Sequence, residues 1–236
     1  MIRALNEDLG TKLGILLFWI VTLSTAVGAC VLFFSGQRFE GWVGIASLFV
    51  FIIVQVILPR AAGMSNPTSM RIMISLLMLI SLTIGRYFSL YKRIVHFDKL
   101  QHFLYGIMIS LIAVVILYRL IPIHSRRQSE FHPAAIGIFT TGTTMIILFI
   151  WELFEYTCDR LFNSDMQDWK AGGISGLTDT MLDLAVGFLG ALLASAIIMI
   201  VYSRNREIFY NRFLAGFFPL DSKKDCIIRD NREEAI

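Results

Sequence analysis

The sequence predicts an all-α, polytopic membrane protein, a six-helix transmembrane bundle with both termini cytoplasmic. Three observations carry that expectation. Hydrophobic residues make up 56% of the 236 residues and charged residues 17%, against roughly 25% charged in soluble domains, and the mean hydropathy is +0.67. Six apolar runs approach or exceed the roughly 20 residues that a helix needs to cross a bilayer. Threaded back and forth, the chain puts 14 of its 21 Lys and Arg residues on one side, the cytoplasmic side by the positive-inside rule. This composition excludes a disordered chain, a nucleic-acid-binding domain and an ordinary soluble enzyme. A net charge of +3 gives no reason to expect a polyanionic partner.

The expected spans are 13–34, 41–58, 70–91, 97–121, 134–156 and 178–202. The first is too long for the apolar segment of a signal peptide and no small-x-small cleavage site follows it, so it is expected to be retained. Residues 1–202 form the transmembrane domain, with a polar site expected between about 86 and 183. Residues 203–236 form a cytoplasmic tail. There Ile208, Phe209, Phe213 and Phe217 recur near helical spacing between Arg206 and Arg212, the pattern of an amphipathic helix on an anionic leaflet. Cys30, Cys158 and Cys226 are far apart and lack CxxC spacing, which predicts neither a disulfide framework nor a zinc knuckle.

Ionisable side chains are rare in hydrocarbon because each costs about 2.5–3.5 kcal/mol at a helix centre on insertion scales. Their positions are therefore informative. The fourth span opens with Asp98, Lys99 and His102; the fifth closes with Glu152, Glu155 and Asp159; the sixth opens with Asp179 and Asp183, followed by Gly187 and Gly190. Within each span the acids share a helical face. The alternating topology brings all three ends to the extracytoplasmic side, with Arg86 of the third span near the same level. Capping and snorkelling account for Asp98, Asp159 and Asp179 but poorly for His102, Glu152 and Asp183, which lie a turn or more inside.

Carboxylates sharing a cavity repel one another unless cations join them. Arg86, Lys99, Arg160 and Lys170 are candidates. A divalent metal is the other, with His102, Glu152, Glu155, Asp179 and Asp183 as an oxygen-rich ligand set. The loop 159–177 carries Trp169 and a run of glycines; it reads as a cover over the cluster or as an ordinary connector.

The string Phe97-Asp98-Lys99-Leu100-Gln101-His102-Phe103 resembles the DKxxHF opening of VanZ-like membrane proteins. Trp151-Glu152-Leu153-Phe154-Glu155-Tyr156, followed by Asp179-Thr180-Met181-Leu182-Asp183, is similar to the YjdF-type branch of bacterial inner-membrane proteins. Thr178 stands where that branch is expected to have Trp. The resemblance implies a multi-pass protein of the bacterial plasma membrane, associated with the cell envelope and with glycopeptide antibiotic resistance, and carries no settled reaction.

Two kinds of function follow. In one, an enzyme acts on a lipid or lipid-linked envelope intermediate at the outer leaflet. A metal polarises a phosphoryl or carbonyl oxygen or activates water, Asp98 is the general base, and Arg86, Lys99 and Trp169 bind the substrate headgroup. The catalytic set is then Asp98, His102, Glu152, Glu155, Asp179 and Asp183. In the other, the same cavity binds or transports a headgroup or antibiotic without chemistry, or the chain is a structural partner of envelope enzymes and the cluster is internal ion pairing. The partners expected in each case are membrane lipids.

Overall fold

The computed structural model describes residues 2–57, 68–88, 90–94, 96–121, 131–167, 174–209 and 213–214. Each apolar run becomes one long helix: α1 (Ile2–Phe34), α2 (Arg38–Ile57), α3 (Thr68–Tyr87), α4 (Phe97–Leu120), α5 (Pro133–Phe162) and α6 (Gly176–Arg204). All six are long and apolar enough to cross a membrane, and no strand occurs among the described residues. The protein is an all-α, multi-pass membrane protein.

Local chemistry sets the helix ends. Gly36, at φ 91°, makes the tight turn between α1 and α2, a conformation that a side chain would strain. Pro133 opens α5, where its missing N–H is no loss. Ser175 caps α6 by accepting a hydrogen bond from the Thr178 amide at 3.1 Å. Helix α5 runs to Phe162, more than a turn past the end that hydropathy suggests. The extra turns carry Cys158 and Asp159, both buried by protein, so a scale that assumes lipid contact undercounts them.

Two stretches wind as π-helix: the last turn of α2, Ile53–Ile57, and the second half of α3, Leu79–Tyr87. Helix α3 stops at Tyr87, short of the expected residue 91, and a separate turn, Leu90–Arg93, leads into α4.

The helices pack as two groups. Helix α1 lies against α2 and α3, while α6 lies against α4 and α5, with thinner contact between the groups. Between α4 and α6 the backbones touch. A Cβ at Gly106 would strike the Gly187 carbonyl oxygen, and one at Gly190 would strike that of Phe103, the close approach that small residues permit in membranes. Hydroxyl pairs tie α5 to both: Ser110 of α4 with Thr144 at 2.8 Å and Thr140 with Ser195 of α6 at 2.7 Å. The groups are joined at α3 and α4, where the Gln101 amide donates to Ser81 Oγ and Tyr105 OH, both at 2.8 Å.

At one end of the bundle an aromatic core fills the space. Tyr118, Tyr202 and Phe209 are almost wholly buried, and the Phe209 ring packs against both tyrosines and stacks on Phe213. The first residues of the tail, expected on the membrane surface, thus continue the bundle core after a short turn, Arg206–Ile208. Phe217, Arg212 and Cys226 lie outside the described residues. Cys158 is a buried free thiol and Cys30 an exposed one, neither in a disulfide.

Candidate intramembrane acidic site

The opposite end of the bundle gathers the acids. Asp98 and His102 come from the first turns of α4, Asp179 and Asp183 from the first turns of α6, and Glu152 and Glu155 from the last third of α5. With a rise of about 1.5 Å per residue, the start of α6 lies about 10 Å along the axis from Asp183. His102, Glu152 and Asp183 are at most 2% exposed, Asp179 2% and Glu155 6%. These groups are enclosed by protein.

Lys99 supplies one counter-charge. Its ammonium lies 2.5 Å from Asp179 Oδ1, 2.8 Å from Asp183 Oδ2 and 3.4 Å from Asp98 Oδ2, joining α4 to α6. His102 sits at the centre. Nδ1 is 3.3 Å from Asp183 Oδ1 and 3.5 Å from Asp98 Oδ1, and also 3.2 Å from the Asp98 carbonyl oxygen one turn back. Nε2 lies 3.1 Å from Glu152 Oε1, within ion-pair distance, yet the two atoms are not aligned for a hydrogen bond. Both Glu152 oxygens, Glu155 Oε2 and Asp183 Oδ1 are buried without a hydrogen bond, and buried polar atoms left so are rare and costly. Five carboxylates thus gather around one ammonium and one imidazole.

Asp98, His102 and Asp183 each offer a ligand atom within 4.8 Å of the others. Metal–ligand bonds of about 2.1 Å put neighbouring donors about 3–3.5 Å apart, and the two contacts of His102 Nδ1 match that spacing. Glu152 Oε1 lies 3.1 Å from the other ring nitrogen, so a small rotation of either side chain would make the hydrogen bond by which carboxylates orient metal-bound histidines. The chemistry of this donor set fits a divalent cation.

The remaining expected site residues are placed as follows. The Arg86 guanidinium pairs with Glu40 at the start of α2 and is within Coulombic range of Glu155. Glu155 in turn feels Glu152, Asp98, His102 and Asp183, so it stands between the cluster and Arg86. Asp159, on the same face of α5, is turned to another purpose. It accepts from Ser164 Oγ at 2.6 Å and from the amides of Met166 and Gln167 at 2.7 and 3.1 Å, folding the loop after α5. From that loop Gln167 donates to Thr180 Oγ1 at 2.7 Å, beside Asp179. Trp169 and Lys170 lie outside the described residues.

Some neighbours were not singled out from sequence. Glu40 is one; the topology already put it at the same end as Arg86, but pairing needs α2 against α3. Tyr91, Gln101, Tyr105 and Ser81 form a neutral network beside His102, in which Tyr91 donates to Gln101 Oε1 and Tyr105 meets Ser81. Burial pushes the Tyr91 phenol above its ordinary range, so it stays a donor. The signal available was the Gln101–Tyr105 spacing of four next to His102.

A family described as "Predicted membrane protein (DUF2238)" has a sequence profile that matches residues 15–205. The chain belongs to the DUF2238 family. Its match runs from within α1 through α6 and takes in every residue of the cluster. The DUF2238 chain is also similar to an uncharacterized protein of Thermotoga maritima, 29% identical over 132 residues, which cover 56% of this chain and 62% of that protein. No solved structure matches. The family shows a membrane protein; neither comparison extends to the VanZ-like or YjdF-type resemblance.

Proposed function

We propose that this chain is a bacterial inner-membrane protein, with both termini cytoplasmic, whose Asp98–His102–Asp183 site holds a divalent metal ion. It acts at the outer leaflet on a lipid or lipid-linked cell-envelope substrate, by metal-assisted hydrolysis or group transfer. The observation that carries the reading is the setting of His102. One ring nitrogen faces carboxylates from α4 and α6 and the other faces Glu152 from α5, with oxygens of Glu152 and Asp183 buried and unbonded. Such an arrangement suits a histidine that ligates through an unprotonated Nδ1, giving up the contact of that atom with the Asp98 carbonyl, and carries its proton on Nε2 toward Glu152.

Three protein ligands leave room for water and a substrate oxygen, as metal-assisted hydrolysis needs. Lys99, at the rim, is placed to meet an anionic headgroup. Asp98, first considered as a base, is better suited to ligation, and Glu152 to supporting the histidine; Asp179 is engaged by Lys99. The motif resemblance supports an envelope role, and the position of Lys and Arg in the loops supports the orientation.

A second reading has an observation of its own. Lys99 already bridges three aspartates, which is how an internally compensated, non-catalytic headgroup site would be built. Elemental analysis of the detergent-purified full chain separates the two. The metal reading expects about one metal ion per chain, lost in His102→Ala and in Asp183→Asn while both variants stay monodisperse. Absence of metal from the wild type after incubation with zinc, manganese or magnesium would sink it and leave headgroup binding. Retained metal would then be followed by turnover assays on phospholipids and polyprenyl phosphates.

A further inference from the structure

A second feature lies at the other end of the bundle, in the groove between α1, α2 and α3. A cavity of about 190 Å³ opens there between Ile15, Phe18, Trp19, Val56 and Arg71. Four of its walls are apolar and the fifth carries a guanidinium, which stays charged. Among the described residues nothing pairs with that guanidinium: the Arg71 contact recorded is through its backbone carbonyl. Arg71 stands one turn inside α3, where an unpaired charge facing the membrane is costly.

The groove is built to hold the side chain where it is. The Arg71 stem runs past Gly14 of α1; a Cβ there would be in ordinary van der Waals contact with Arg71 Cδ and Ile72 Cγ1, both at 3.5 Å, and a larger side chain would press on the stem. The Gln55 amide, on the π turn of α2, donates to the Arg71 carbonyl at 3.0 Å and to Ser75 Oγ at 2.9 Å, tying α2 to α3 at the cavity. Phe18 stacks on Phe51 with ring centroids 5.5 Å apart, bracing the back wall. Trp19 and Ile15 keep 52% and 43% of their surface outward, open to acyl chains.

We infer that this groove binds an anionic phospholipid. The phosphate meets the Arg71 guanidinium, and the acyl chains run along Ile15, Trp19 and Val56. Charge complementarity selects an anion, and the apolar walls select a lipid over free phosphate. The site is separate from the acidic cluster and does not depend on a metal there.

Native mass spectrometry of the full chain in detergent tests this, with phosphatidylglycerol and phosphatidylcholine of identical acyl chains as probes. The wild type is expected to retain phosphatidylglycerol about fivefold or more over phosphatidylcholine. Arg71→Gln is expected to abolish the preference, and Gly14→Leu, which keeps the charge but crowds its stem, to reduce it. Arg38→Gln, an exposed residue at the other end, should leave it intact. Equal retention of the two lipids by the wild type overturns the inference, as does a preference that survives Arg71→Gln. Displacement of the lipid by inorganic phosphate would overturn the lipid assignment. Should Arg71→Gln fail to fold, Gly14→Leu decides, and an undiminished preference there overturns the proposal.

Discussion

Between α4 and α6, glycines set backbone against backbone, and the end of the seam is closed by Lys99, His102 and a group of carboxylates. Helix α1 meets α3 mostly through side chains, although Gly41 and Gly44 bring the α2 backbone close to Phe33 and Ala29 of α1. A Cβ at Gly28 would meet the Tyr87 ring, Ser24 bonds Thr83 at 2.8 Å, and Arg86 pairs with Glu40. Backbone contacts cannot be relieved by a rotamer change, whereas rings and long side chains can turn aside. The charged site therefore stands on a seam of fixed backbone contacts, the kind of support that holds side chains to fractions of an ångström. The groove at Arg71 lies where α1 meets α3 through side chains that can adjust.

The largest test of this contrast removes the cation from the α4–α6 seam. Lys99→Met strands Asp179 and Asp183, and breaking a buried pair costs about 3–5 kcal/mol; unfolding of the detergent-solubilised protein should register it. Adding Asp183→Asn to Lys99→Met should recover part of the loss. An unchanged midpoint in the single variant would mean that protons, not Lys99, neutralise the aspartates.

A paired glycine scan comes next. Gly106→Ala drives a methyl into the Gly187 carbonyl, and overpacking of this kind costs about 1–3 kcal/mol, here at the upper end. Gly28→Ala meets a ring that can rotate, so its cost should sit at the lower end. Equal shifts in melting temperature would erase the difference between the α4–α6 and α1–α3 contacts.

Neutral hydroxyl pairs should show no such difference. Ser110→Ala in one half and Ser24→Ala in the other each lose one interhelical bond, worth about 0.6 kcal/mol on average in membranes, and Ser24 also loses a bond to the Val21 carbonyl of its own helix. A much larger effect for Ser110 would show that the seam couples to the charged end. The smallest effect is expected for Arg86→Gln. Its pair with Glu40 is partly exposed, at 22% and 32% of side-chain surface, and pairs of that kind are worth about 1 kcal/mol or less. Added salt should shrink that difference further if the pair meets water.

Much of the site could be read one residue at a time. His102, Glu152 and Asp183 stood out because hydrocarbon penalises them, and alternating topology sent them, with Asp98, to one end. Their partition was not readable. Asp159 shares the helical face of Glu152 and Glu155, yet three hydrogen-bond donors of the following loop claim it. Arg86 looked like a free cation until α2 brought Glu40 to it. Phe209 looked amphipathic in sequence, and the aromatic core took it in because Tyr118 and Tyr202 leave a space beside them.

By itself the sequence determined six membrane-crossing helices and one polar end, because span length and the cost of buried charge act on local composition. Which carboxylates meet Lys99, which face His102, and which serve a loop were decided only in three dimensions. Those pairings depend on helix rotation and approach, set by Gly106, Gly187 and Gly190 across a contact some 80 residues apart in the chain, and no local pattern encodes a distance of that kind.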